Sequence, residues 1–266
     1  MPPPVQGFTM SFKKNGAGMR PQHAKSAPKV VPSVPRAVPS RPPVSWSRDQ
    51  WLAALPPVLA SLDLALSEVQ QAQLADYMVM LAHWNSTYNL TALRDAQDML
   101  THHLTDCLTV LVPLKRHLAE RGLLDRTPPA RLLDVGSGGG LPGVILAICY
   151  PGVQVTCVDT VGKKAAFIRQ VAAELRLPNL RAEHARVEQL KGQFDLITSR
   201  AFASLVDFVT LTRALLAEGA VWMAMKGKDP LEEKDALPTD VNVFHVEQLQ
   251  VPGLDAERCL VWMHGR

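Results

Sequence analysis

Across residues 46–124 apolar side chains recur at steps of three and four. Leu74, Tyr77, Met78, Leu81, Trp84 and Tyr88 fall on one face of a helix. Met99, Leu100, His103, Leu104, Cys107, Leu108 and Leu111 line one side of a second helix, predicted over 96–118. This pattern assigns Trp84 and Tyr88 to the core, and the uneven stretch Tyr88-Asn89-Leu90-Thr91-Ala92-Leu93 reads as a connector. After Thr127-Pro128-Pro129 the period changes. Residues 131–135 form a short apolar run that ends in glycines, as a buried strand feeding a loop does. Strands follow over 153–158, 180–185, 194–198 and 220–225, with helices over 163–175, over 204–216 and near Leu231. Strands alternating with helices predict a parallel sheet covered on both faces. The end of the chain breaks the alternation: strands over 241–250 and 258–264 have no helix between them and should close the sheet as an antiparallel hairpin. Residues 1–45 carry ten prolines and almost no apolar period, which predicts a disordered tail. The expected organisation is a tail (1–45), a helical segment (46–126) and an α/β domain (127–266).

Composition narrows the class. A chain of 266 residues, 47% hydrophobic, can bury one full-sized α/β core. The net charge of +3 divides unevenly: residues 1–48 hold eight Lys and Arg and no acid, so the remainder carries −5. Contact with nucleic acid in the folded part must therefore come from a local patch rather than a bulk basic field. The four cysteines stand far apart without metal-ligand spacing, which argues against a disulfide framework or structural zinc and for a reducing cytoplasm. No apolar run is long enough to span a bilayer. No apolar segment follows the first positive residues as in a secretory leader, and the prolines oppose the helix of a transit peptide.

The chemistry begins at Asp134-Val-Gly136-Ser-Gly138-Gly139-Gly140-Leu141-Pro142-Gly143. Glycines let the chain turn sharply and let a ligand lie against backbone. Pro142 suits the first turn of the next helix, whose free amides could hold a carboxylate. The run from Gly138 to Gly143 also matches the dinucleotide pattern GxGxxG. Two features favour a methyl donor instead: the strand ends in Asp134, and a helical segment precedes the first strand. Asp159, 23 residues beyond Gly136 and ending the second strand, can accept ribose hydroxyls of either cofactor.

Several further motifs stand in order: Trp84-Asn85 with Tyr88-Asn89-Leu-Thr91, Arg186-Val187-Glu188, Ser199-Arg200-Ala201-Phe202-Ala203, Lys226-Gly227, and the closing run from Leu249 to Arg258. With the glycine loop they resemble the ribosomal RNA small subunit methyltransferase G family, also called glucose-inhibited division protein B, from about Trp51 to the C-terminus. The family usually reads Arg-His-x-x-Asp-Ser on the second helix, where this chain has His102-His103-Leu-Thr-Asp106-Cys107.

The resemblance implies a class I S-adenosylmethionine-dependent methyltransferase fold, Rossmann-like, with a C-terminal antiparallel hairpin. It implies S-adenosylmethionine as cofactor, held at Gly136, Leu141, Val187, Glu188 and Arg200; the loop and the second strand add Gly138 and Asp159. The acceptor it implies is guanine N7 in bacterial 16S ribosomal RNA or the small ribosomal subunit. A cytoplasmic monomer that needs neither metal nor membrane is expected. N7 carries a lone pair and no proton, so no general base is required, and the chain shows no acid–base dyad. Candidates to meet cofactor or base are Arg200, at the sheet edge where ligands bind, and Lys226; Asn85 and Asn89 are rim candidates, and His103, beside His102, is a further catalytic candidate competing with the reading of a packed or exposed histidine. An N7 in paired RNA lies in a deep, narrow groove, which predicts an unpaired target guanine. A small-molecule or protein methyltransferase and a non-catalytic nucleoside-binding assembly factor compete, because the fold alone does not choose the substrate. A dehydrogenase is the remaining alternative.

Overall fold

The computed structural model describes residues 45–266; the expected proline-rich tail lies outside the described residues, save Ser45. The first two helices start on capping boxes. In α1 (Arg48–Ser61) the Ser47 hydroxyl accepts from the Gln50 N–H while the Gln50 side chain accepts from Ser47 N–H, and Ser67 and Gln70 repeat the device for α2 (Glu68–Tyr88). Each box satisfies two amides that a helix start leaves without partners. Asn89 ends α2 in the left-handed region at φ +51°, a conformation that asparagine tolerates.

The second predicted helix is not continuous. A short α3 (Ala96–Met99) opens into a π-helical turn over Leu100–Thr105, which leads into α4 (Asp106–Leu108) and α5 (Leu111–Glu120). Such wide turns concentrate at functional sites. This one buries the polar side chains of His103 and Thr105, and Asp106 is buried directly after it.

The strands are β1 (Arg131–Val135), β2 (Gln154–Asp159), β3 (Leu180–His184), β4 (Phe194–Arg200), β5 (Leu216–Lys226), β6 (Val241–Leu249) and β7 (Arg258–Gly265). They form one sheet in the order β3-β2-β1-β4-β5-β7-β6. The first five run parallel; β7 inserts antiparallel between β5 and β6. This is the class I methyltransferase fold, with the terminal hairpin closing the sheet.

Strand residues alternate between two cores, as a period of two requires. Leu132, Val155, Leu196, Met223 and Trp262 share one core with Trp51, Leu55, Tyr77 and Leu104 of the N-terminal helices, and with α6 (Gly143–Cys149) and α7 (Gly162–Glu174). Leu133, Ile197, Trp222 and Val261 face the other way, against α8 (Leu205–Thr212). The helical segment therefore closes one face of the sheet and is not a globule of its own.

Candidate active site

The C-terminal ends of β1, β2, β4 and β5 bring Val135, Asp159, Arg200 and Lys226 to one edge. Ligands of open α/β sheets bind in the crevice outside such an edge. The glycine loop after β1 is stitched to its neighbours by backbone: the amides of Gly136 and Ser137 donate to Val158 O, and the Ser137 hydroxyl donates to Asp134 O. From below, the Tyr77 hydroxyl donates to Gly139 O at 2.7 Å. Gly136 stands at φ +69°, and a Cβ there would lie 2.6 Å from the Phe202 ring. Gly143 is closed to side chains for another reason: a Cβ would meet Cys157 Sγ at 2.4 Å and Asp134 Oδ2 at 2.7 Å.

The expectation that the helix start after Pro142 offers free amides to a carboxylate is not met. Asp134 Oδ2 already accepts the Gly143 N–H at 2.9 Å, and the Val144 N–H donates to Gly140 O. Asp134 is wholly buried beneath the loop, and its Oδ1 has no hydrogen-bond partner. Burial pushes this carboxyl up to about 6, even though the Gly143 N–H pulls it down.

Over the loop lies a cavity of about 520 Å³. Gly136 forms its floor, Asp159 and Lys164 one wall, Val187 and Glu188 another, and Phe202 stands over the far side. Asp159 is held from three directions. Its Oδ1 accepts from Val161 N–H at 2.8 Å, its Oδ2 from Gly138 N–H at 3.0 Å, and Lys164 Nζ lies 3.8 Å from Oδ2. A carboxylate oxygen has more than one lone pair, so a braced Asp159 at the cavity wall can still accept hydroxyls. The apolar Val158, Val161 and Val187 offer flat cover for a ring. The lining thus suits a nucleoside, with apolar cover for the base and acceptors for the sugar.

Of the expected cofactor residues, Gly136, Asp159, Val187 and Glu188 come together in this cavity. Gly138 and Leu141 do not line it. Gly138 acts through its amide on Asp159, and Leu141 is buried in the loop. Arg200 turns to a second cavity of about 260 Å³, which it shares with Lys226. There Arg200 Nη1 donates to His102 O at 3.1 Å and to Asp106 Oδ2 at 3.3 Å. Lys226 Nζ donates to Glu233 Oε2 at 2.8 Å and to Ala203 O at 3.2 Å.

Asn85 and His103 line neither cavity. Asn85 is buried and pins the connector after α2: its Oδ1 accepts the Thr91 N–H at 2.8 Å, and its Nδ2 donates to Leu93 O at 2.6 Å. His103 Nε2 pairs with the Thr91 hydroxyl, and its Nδ1 faces His102 O, so the ring is a neutral clasp on the same connector. Burial first, and then the positive charge of Arg200, push His103 down to about 4. Tyr88 is also displaced from its expected place in the core: it is 43% exposed, with Lys163 Nζ 4.9 Å from its ring centre and Trp84 tilted against it.

Sequence reasoning passed over two residues of the second cavity. Asp106, only 2% exposed, bridges Arg200 and Arg258, whose Nε donates to Asp106 Oδ1 at 3.0 Å. No local spacing links these three. The pairing of Lys226 with Cys259 across β5 and β7 is what carries Arg258 to the site.

A family model described as rRNA small subunit methyltransferase G matches residues 70–261. Proteins named ribosomal RNA small subunit methyltransferase G are similar over most of the chain. That of Acidovorax sp. (strain JS42) is 60% identical over 204 residues, 76% of this chain and 90% of the relative. That of Leptothrix cholodnii is 60% identical over 207 residues, covering 77% and 92%, and that of Albidiferax ferrireducens is 58% identical over 215 residues, covering 79% and 95%. Glycine loop, braced acidic strand end and sheet order agree with these matches: the chain belongs to the ribosomal RNA small subunit methyltransferase G family.

Proposed function

We infer that the chain transfers the methyl group of S-adenosylmethionine to N7 of a guanine in 16S ribosomal RNA of the small subunit. The observation that supports this most directly is the larger cavity, with Gly136 as floor and the braced Asp159 as wall, in a chain of this family. The cofactor supplies an electrophilic methyl carbon on a sulfonium. Asp159, Glu188 and Val187 would hold its nucleoside, Gly136 would let it approach backbone, and Gly138 and Leu141 would shape the loop beneath it.

When bound, the donor would offer that methyl carbon to the N7 lone pair, the N–CH3 bond forming as the S–CH3 pair returned to sulfur, so positive charge would pass from donor to purine and no proton would have to move. The chain's work is then alignment. The titratable groups beneath the site fit that requirement: His103 is a neutral clasp, and Asp134 is sealed under the loop. Arg200 and Lys226 stand on the acceptor side, while Asn85 and His103 act at a distance by fixing the connector over 89–93.

The test is incorporation of tritiated methyl from S-adenosylmethionine into purified small subunits that lack the modification, followed by nuclease digestion and mass spectrometry of nucleosides. 7-Methylguanosine in the RNA is the expected product. Label confined to protein, or to another nucleoside, would overturn the reading, and no label at all would favour a binding role.

A further inference from the structure

We propose that the second cavity receives the acceptor base, a purine bearing a 6-carbonyl and swung out of its RNA strand, with Arg258 as a recognition residue and Asp106 as the positioning residue behind it. This rests on the RNA-methylating reading above and adds the half of the site that binds the acceptor.

Place is the first argument. The second cavity shares Ala201 with the larger one, so an occupant of each would meet across that residue. Ala201 sits at φ +50°, in the left-handed region that disfavours a non-glycine residue. Its turn sends Arg200 into one cavity and Phe202 over the other. A second backbone departure, the π-helical turn, ends directly before Asp106, which lines the same cavity. Unusual backbone on two sides of one pocket is the kind of geometry that accompanies function.

Size and lining are the second. About 260 Å³ falls below the roughly 300–1,000 Å³ of drug-sized ligand sites and suits a single ring system. Met225 and Leu249 give apolar cover, and a thioether is a favourable neighbour for an aromatic face. An extruded base is ordinarily held in this way, by cover on its faces and hydrogen bonds at its edge.

Charge is the third. Arg200, Arg258 and Lys226 supply N–H donors, and two carboxylates balance them: Asp106 between the two arginines, Glu233 on Lys226. The cluster carries one positive charge in excess, not three. That balance suits a neutral carbonyl acceptor, and it spares the purine a strongly cationic wall as it becomes positive. A phosphate would meet two carboxylates here. The Arg258 guanidinium is fixed at both ends of its fork, with Nε on Asp106 and Nη1 on Glu257 O at 2.8 Å, which aims it without a loss of side-chain freedom on binding.

Two variants test the assignment on the full chain. Gly227 lines the cavity, and a Cβ there would meet nothing within 4 Å, so the side chain of Gly227→Phe starts in open space at the cavity, with an unchanged melting temperature as the check that the fold is kept. Calorimetry with S-adenosylhomocysteine should give a Kd within about twofold of the parent, while single-turnover methyl transfer to saturating small subunits falls at least tenfold, about 1.4 kcal/mol of barrier. Arg258→Ala should behave likewise, with Arg258→Lys recovering part of the rate. Asp106→Asn, which leaves Arg200 and Arg258 without the buried charge between them, should lower the melting temperature and raise KM for small subunits several-fold, with the S-adenosylhomocysteine Kd kept within about twofold. If Gly227→Phe transfers methyl within threefold of a parent that makes 7-methylguanosine, the base pocket lies elsewhere and only this proposal falls. If the parent itself makes none, both fall. An Arg258→Ala variant that keeps its single-turnover rate and loses only salt-sensitive subunit affinity would mark a phosphate contact instead.

Discussion

At the scale of residues, two buried titratable groups beneath the site oppose each other in acid. Folded Asp134 holds a proton up to about 6, well above the ordinary aspartate value near 3.8, so stability rises as pH falls through 6. Folded His103 stays neutral down to about 4, whereas an unfolded imidazole takes its proton near 6.5, so stability falls over that window. Each effect is on the order of 3 kcal/mol across its range, and between pH 6.5 and 4 they nearly cancel. Asp134→Asn keeps an acceptor for the Gly143 N–H and removes one side of this balance. Urea denaturation is expected to find the variant more stable than the parent at pH 7.5, and losing stability far more steeply by pH 4.5. Parallel pH profiles would show that Asp134 is not buried as an ionised carboxylate near neutrality.

Among elements, the connector over 89–93 has the most leverage, because it lies against the glycine loop: Leu90 O is 4.0 Å from where a Gly138 Cβ would stand. Asn85 holds that connector by two hydrogen bonds from within α2. Asn85→Ala leaves the Thr91 N–H and the Leu93 carbonyl without those partners, at a cost of about 1–3 kcal/mol for each group left buried. Because the side chain reaches the site only through the connector, the expected outcome is a lower melting temperature and a several-fold weaker S-adenosylhomocysteine Kd together. A drop in melting temperature with unchanged affinity would separate the connector from cofactor binding. The π-helical turn belongs to the same scale. Its His102 carbonyl and the adjacent Asp106 both hold Arg200, which couples a helix of the N-terminal segment to the end of β4.

For the whole molecule, one core joins the N-terminal helices to the sheet, so the boundary near residue 126 marks a change of secondary structure within a shared interior. Among the described residues that core is built from Trp46 onward, and a chain beginning at Ser45 is expected to bind S-adenosylhomocysteine and methylate isolated subunits much as the full chain does. A sharp loss of transfer at moderate salt would promote the basic N-terminal segment to an RNA-binding arm. Much of the fold was legible in sequence order, because apolar period and glycine placement are local properties. The alternation of Leu132 with Leu133, the turn after Val135 and the acid at the end of β2 each announce themselves within a few residues. The cavity over the glycine loop was half legible for the same reason: Gly136, Asp159, Val187 and Glu188, each picked out by a local motif, line it together. The second cavity was not, since Asp106, Arg200 and Arg258 come from a helical turn and two strands that only the sheet order sets side by side. Tyr88 and His103 make the same point in opposite senses. Period assigned both to a buried face, and packing then left one exposed against Lys163 and closed the other onto Thr91. Sequence alone determined the elements, the loop and the family; tertiary structure decided which charges meet, because a hydrogen bond depends on distance in space and not on separation along the chain.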